Sequence, residues 1–394
     1  MSEAVPPAEN RSGEHLVFLD YFRGVAILAV FCDHSFWAMY TASHDQWNGI
    51  FFNLQNWREN GVFYPFSLGY AGVAIFFVVS GFCIHLSYER SQPKSFKLFF
   101  LRRFFRIYPP YFVALLLYLP LAYYQLKLAG GGTVEGVGQV VSHLLLVHNL
   151  FPAYIDKLDP SFWSIAVEAH LYLLYPVLLW LTLRLGWARA LLITAALELL
   201  LRTSDALTIC LHPDQDLPAN PSGQPLYYWF SWAIGAVLAD AYLKKRPLPF
   251  TSLPLWFWPA LFLVCSCFKP LAPFGFLLAA LATARCIAHL LQKGTASMPT
   301  QGWRDLAWNH LRWAGVVSYS AYLLHQIVLS LEHKILVKMI YHGTRPPLLI
   351  VFGAAALDWA VVFVISYLFY RYVESPSIAW GKAVIKRTKV PAIG

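Results

Sequence analysis

One apolar segment near the amino end, FLDYFRGVAILAVFCDHSFW, carries four ionisable side chains: Asp20, Arg23, Asp33 and His34. Each costs about 2.5–3.5 kcal/mol to place at the centre of a bilayer on insertion scales, so four in one segment ask for a function. Arg23 and His34 are eleven residues apart, which at about 100° per residue falls within roughly 20° of three full helical turns. They therefore share one face of a helix, with a rise of about 16 Å between them. Asp20 lies one turn from Arg23, within reach of an ion pair. Histidine titrates near neutrality and suits proton transfer to and from a reacting hydroxyl. A single histidine in a helix is more commonly a packed or interfacial residue, and the aromatic run SFWAMY around residues 35–40 leaves an interfacial place open. Asp33, the neighbour of His34, points about 100° away from it and is the weaker choice as its orienting carboxylate.

Three further segments concentrate reactive types. In SFKLFFLRRFFRIYPPY, Arg102, Arg103 and Arg106 stand just before an apolar run, and arginine forks suit phosphates. The interleaved Phe residues and Tyr108 suit an adenine ring, or equally a lipid interface where the arginines would anchor anionic head groups. Charge alone does not separate the two. In SFWSIAVEAHLYLLYP, Trp163 precedes Ser164, Glu168 and Tyr172, which recur every four residues and line one face. Glu168 is buried by position, either as a packing carboxylate bonded to a neighbouring helix or facing a substrate. In VVSYSAYLLHQI, Ser318, Tyr322 and His325 form a stripe at i, i+4 and i+7. Cys265 and Cys267 lack two further ligands at metal-binding spacing, so no metal is assigned.

These residues are set in a chain that is 58% hydrophobic and only 13% charged, against roughly a quarter charged in soluble proteins. The pattern predicts an all-α, polytopic transmembrane bundle forming one domain over residues 1–394, with spans near 16–40, 67–88, 107–128, 161–183, 187–203, 225–243, 254–268, 271–291, 311–331 and 347–373. QVVSHLLLVHNL (139–150), with His143 and His148, is too short to span and reads as a partial or interfacial helix. The net charge of +9 does not imply nucleic acid, because the basic residues lie in short loops instead of on one face. With residues 1–15 and 374–394 read as short cytoplasmic tails, most basic residues outside the spans fall on the cytoplasmic side. The external side keeps Arg58, Lys157, Lys269, Lys334, Lys338 and Arg345, and an external loop 203–224 carries Asp205, Asp214 and Asp216 without a basic partner. The polar groups in the first apolar segment are unlike the h-region of a cleaved signal. The cysteines, mostly in apolar segments, imply no disulfide framework.

Taken in order, these segments resemble the acyltransferase 3 family of membrane acyltransferases. The family's opening pattern is met by Leu19, Asp20, Arg23, Gly24 and His34, and its phenylalanine-rich second-span signature by GVAIFFVVSGFCI with Ser80 and Gly81. Its arginine motif is similar to RRFFRIYPPY, and its Trp-Ser element to Trp163, Ser164, Val167, Glu168, Tyr172 and Pro176. SYSAYLLH and YRYVESP complete the set.

The resemblance implies about ten spans in a bacterial plasma membrane and an acyl-CoA donor, usually acetyl-CoA, bound from the cytoplasm. The acceptor it implies is a hydroxyl of a carbohydrate, glycolipid or secondary metabolite. It makes His34 the catalytic residue, with Arg23, Arg102, Arg103, Arg106 and Tyr108 at the donor's side. Many members carry a fused extracytoplasmic SGNH-type domain, and none is expected after Glu374, so transfer is expected directly, through a partner or through an acyl-enzyme. His170 and Asp33 are local departures bearing on acceptor preference. The rival reading from another class is a transporter or flippase, which also places polar residues inside a bundle but predicts internal repeats, and none is found between the halves of the chain.

Overall fold

The computed structural model describes residues 16–389 apart from 41–65, 129, 156, 213–222, 245, 294–302, 343 and 345, so Arg58, Asp214, Asp216, Arg345 and residues 1–15 lie outside the described residues. The described chain is helical, with no strand. In order run α1 (Phe18–Tyr40), α2 (Ala71–Glu89), α3 (Phe96–Leu128) and α4 (Thr133–Leu144). Then come α5 (Trp163–Leu211), α6 (Trp229–Leu243), α7 (Phe257–Ser266) and α8 (Ala272–Gln292). The chain ends in α9 (Trp303–Val316), α10 (Ser318–His333), α11 (Leu348–Phe369) and α12 (Ser375–Lys389). Among the described residues five helices are long and apolar enough to cross a membrane, and six if the bent pair α9–α10 is one span.

The all-α polytopic fold agrees with the sequence pattern; several boundaries do not. The single span expected over 311–331 is two helices meeting at 80° around Val317. The helix α9 before that bend is short and mixed in polarity, with Arg312 near Asp20 on α1, so it follows α1 and not α10. The arginines expected ahead of the third span lie inside α3, which begins at Phe96 because nothing interrupts FKLFFLRRFFRIY before Pro109. α5 continues to Leu211 through what was read as a loop, and Asp205 is buried within it. Its bend falls at Gly186 (φ 78°), in the left-handed region that only glycine adopts freely, near the break expected between 183 and 187. The segment after Glu374, read as a tail, continues as α12.

α6 is buried on nearly every side and forms the centre, whereas α11 exposes Leu349, Leu357 and Val364 at the periphery. α2 crosses α6 at contact distance because Gly81 and Gly235 lack side chains: a Cβ at either would stand 2.0 Å from a carbonyl oxygen of the other helix. That crossing fixes the face of α2 carrying Ser80.

A second constraint is an ion pair wholly withdrawn from solvent. Arg202 donates to Glu198 Oε1 at 2.8 and 3.0 Å, to the Tyr227 carbonyl at 2.9 Å and to the Pro273 carbonyl, and lies 4.3 Å from the Tyr227 ring. Glu198 also accepts from the backbone N–H and hydroxyl of Ser231 at 2.9 and 2.6 Å. The pair thereby ties α5 to α6 through Ser231, to the turn before α6 through Tyr227, and to α8 through Pro273. Removing one member leaves an uncompensated buried charge, which costs about 3–5 kcal/mol. Arg202→Ala is therefore expected to lower the melting temperature in detergent markedly; a melt indistinguishable from wild type would show that the pair bears no load.

Candidate active site

α1, α2, α3, α5 and α10 line a cavity of about 100 Å³. Its cationic wall is Arg23, Arg103 and Arg106; Ser80, Ser164, Tyr172 and Tyr322 supply hydroxyls and Glu168 a carboxylate. Phe76, Phe77 and Ile165 provide apolar surface. The combination suits a ligand with an anionic group at one end and an apolar or thioether stretch at the other.

The register of α5 places Glu168 and Tyr172 one turn apart, so the Tyr172 hydroxyl donates to Glu168 Oε1 at 2.6 Å. Ser80 of α2 donates to the same oxygen at 2.5 Å and receives the Trp232 indole N–H at 3.3 Å. Glu168 thus acts as the acceptor that holds two hydroxyls on the wall, and Tyr172 in turn lies 6.0 Å beneath the Arg103 guanidinium. Arg103 Nε is buried with no hydrogen-bond partner among the described residues. This is the reverse of Arg202, whose donors meet protein acceptors. Arg23 pairs with Asp20 at 3.1 Å and reaches Cys83 Sγ at 3.1 Å.

Ser164 and Tyr322 also line the cavity, with oxygens 2.6 Å apart, so that one hydroxyl donates to the other, and each lies 3.1 Å from the Ser161 carbonyl. Behind Tyr322 stands His34. Its Nδ1 lies 2.7 Å from His325 Nε2, and the two rings are nearly coplanar, at 4°, with centroids 5.0 Å apart. A nitrogen-to-nitrogen contact within a 5.0 Å centroid separation is an edge-to-edge hydrogen bond, not a face-to-face stack.

The tautomers follow from the outer partner. His325 Nδ1 faces the Tyr322 carbonyl at 2.8 Å and must donate, so neutral His325 offers its Nε2 lone pair. His34 Nδ1 then carries the proton that fills this contact, and the lone pair of His34 is at Nε2. Gln326 Nε2 lies 2.9 Å from the same Nδ1, and with Nδ1 protonated that amide must be flipped so that its oxygen takes the contact. His34 Nε2 makes no hydrogen bond among the described residues.

The structure therefore gathers Arg23, Ser80, Arg103, Arg106, Ser164, Glu168, Tyr172 and Tyr322 on one cavity, with Asp20 behind Arg23 and the His34–His325 pair beyond Tyr322. Asp33 is turned toward Gly69, where a Cβ would come within 2.6 Å of its own Cβ. Arg102 lies outside the cavity in an adjoining groove. Tyr108 stands off the site, donating to the Leu144 carbonyl at 2.9 Å and stacking on Phe104, and Trp163 packs on Tyr228. Gln326 and Cys83 escaped sequence reasoning, though the first adjoins His325 and the second follows Ser80 by one turn. No group of three His, Cys, Asp or Glu side chains able to hold a metal occurs among the described residues.

The profile of the acyltransferase 3 family, an acyltransferase domain, matches residues 16–371. Peptidoglycan O-acetyltransferase OatA of Listeria monocytogenes is 26% identical over 339 residues, which is 78% of this chain and 51% of that protein. Putative peptidoglycan O-acetyltransferase YrhL of Bacillus subtilis is 26% identical over 347 residues, 78% of this chain and 50% of that protein. Nodulation protein 10 of Rhizobium leguminosarum is 30% identical over 206 residues, 47% of this chain and 52% of that protein. The chain thus spans about half the length of the curated relatives it matches. No solved structure matches it. With a profile running from before α1 to the end of α11, and cavity, arginines and histidine pair all inside it, the chain belongs to the acyltransferase 3 family.

Proposed function

We propose that this chain moves an acyl group, acetyl in the first instance, from acyl-CoA to a hydroxyl of an envelope carbohydrate of the peptidoglycan kind, with His34 as general base. The observation that carries the reading is the imidazole pair packed against Tyr322, which itself lines the arginine-walled cavity. The donor's anionic part belongs with Arg23, Arg103 and Arg106, on the side where the sequence gathers its basic loops, in the plasma membrane. The relatives' names, peptidoglycan O-acetyltransferase, supply the acceptor class.

In the proposed step His34 Nε2 removes the acceptor hydroxyl proton as the oxygen attacks the thioester carbonyl. Collapse expels the CoA thiolate, which takes that proton back from His34. His325 and Gln326 keep the other edge of the ring in the Nδ1–H tautomer, the office for which Asp33 was the weaker candidate. His325 is then a positioning residue, because it acts only through His34. Glu168 holds Ser80 and Tyr172, and through Tyr172 it braces Arg103.

A positioned general base contributes roughly 10²–10⁴-fold. His34→Ala is accordingly expected to lose at least about a hundredfold in acyl transfer from acetyl-CoA to peptidoglycan fragments, with its melting temperature in detergent unchanged. Turnover retained in that variant would remove His34 from the mechanism. His325→Ala is expected to lower kcat while leaving KM for acetyl-CoA near wild type, and nitrogen-15 NMR should show His34 shifting from one tautomer to a mixture. An unaltered tautomer with normal kcat would reduce His325 to packing. Arg103→Ala is expected to weaken acetyl-CoA binding by calorimetry and leave acceptor affinity unaltered; equal donor affinity would return that arginine to a topology anchor. Mass spectrometry of envelope glycans with and without the gene identifies acyl group and acceptor together.

A further inference from the structure

α12 lies beyond the matched family region, which ends at residue 371, yet it is packed tightly against the arginine-bearing turn of α3. Gly381 meets Phe105 so closely that a Cβ would come within 2.6 Å of the Phe105 Cβ. The Ser377 hydroxyl donates to the Phe105 carbonyl at 2.5 Å, and the Trp380 ring lies 4.9 Å from that of Phe105. Between the two helices runs a groove of about 450 Å³. Its polar lining is wholly cationic: Arg102, Arg103 and Arg106 from α3, Lys382 and Lys386 from α12. Ile378 and Ile385 floor it, and the i, i+4 spacing of the lysines puts both on the groove side.

Five cations around one groove repel one another unless an anion joins them. Arg102 Nε and Nη2 and Arg103 Nε are buried there without a hydrogen-bond partner among the described residues. Arg103 and Arg106 line both this groove and the cavity, so the two spaces meet at those side chains. We propose that the α3–α12 groove is the seat of the phosphate groups of a nucleotide-bearing acyl donor, with Lys382 and Lys386 completing it from outside the family core. The phosphoryl oxygens take the guanidinium forks and the lysine ammonium groups. The flexible thiol arm then enters the cavity between Arg103 and Arg106, toward Ser164 and Tyr322. The inference rests on the acyl-CoA reading above, and its chemistry is shared by an anionic lipid head group, which the experiment separates.

The full chain is compared with Lys382→Ala/Lys386→Ala in nanodiscs of phosphatidylcholine, with CoA and phosphate-free pantetheine as probes. Both lysines are exposed, and an unchanged melting temperature verifies the fold. Loss of two charge-assisted contacts is expected to raise the Kd for CoA by about tenfold or more and leave pantetheine unaffected. Lys382→Arg/Lys386→Arg should restore CoA binding. Equal CoA affinity in wild type and the alanine variant overturns the groove while sparing the donor reading. A wild-type chain that binds no CoA overturns both. In nanodiscs doped with phosphatidylglycerol, loss of retained lipid by native mass spectrometry with an unchanged Kd for CoA assigns the groove to a lipid head group and also overturns the proposal.

Discussion

A 2.7 Å contact between two imidazoles, from the first helix and the tenth, is the interaction on which the site depends. It joins residues 291 positions apart in the chain, and it forms only because α10 begins afresh after an 80° bend. Had α9 and α10 run straight on, the Ser318–Tyr322–His325 stripe could not face α1 and α5 together. As folded, Ser318 and Tyr322 look into the cavity and His325 looks at His34. One stripe on one helix therefore links the wall of the cavity to the proposed base.

Elsewhere the bundle sorts its charges by whether the protein itself answers them. Arg202 and Glu198 meet protein partners on every side and serve the fold. Arg103, half-buried, has a buried Nε without a hydrogen-bond partner among the described residues and presents its guanidinium to open space. Apolar surroundings make an unanswered charge costly, so its persistence beside Arg106 speaks for a ligand that answers it. The same logic separates Asp20, which is spent on Arg23, from Glu168, which is spent on two hydroxyls.

Much of this was legible in the sequence, because helical periodicity is strong in a chain this apolar. The shared face of Arg23 and His34, the Ser164–Glu168–Tyr172 ladder and the Ser318–Tyr322–His325 stripe all follow from 3.6 residues per turn. What periodicity does not carry is which glycine bends a helix: Gly186 does so at a gap between apolar runs, whereas Gly315, two residues before the bend at Val317, sits inside a continuous apolar pattern and packs against the Asp20 carbonyl. Nor does it carry partners between helices: His325 and Gln326, not the adjacent Asp33, meet His34, since sequence neighbours on a helix point apart. Among the arginines, type is readable but allocation is not: all three line the groove beside α12, and only Arg103 and Arg106 also reach the cavity.

The rise of about 16 Å between Arg23 and His34 has a further meaning once Tyr322 is seen to line the cavity. Arg23 and His34 share a face of α1, yet only Arg23 lines the cavity; the Tyr322 ring, set against Phe76 at 6.0 Å, lines it too and packs on His325, the partner of His34. A thioester held among arginines beside a general base would be exposed to hydrolysis whenever water reached both. Holding the base outside the arginine-walled cavity keeps the two halves of the reaction apart in the arrangement described. On the proposed reading, the acyl group must come to the Ser164–Tyr322 pair before His34 is of any use to it.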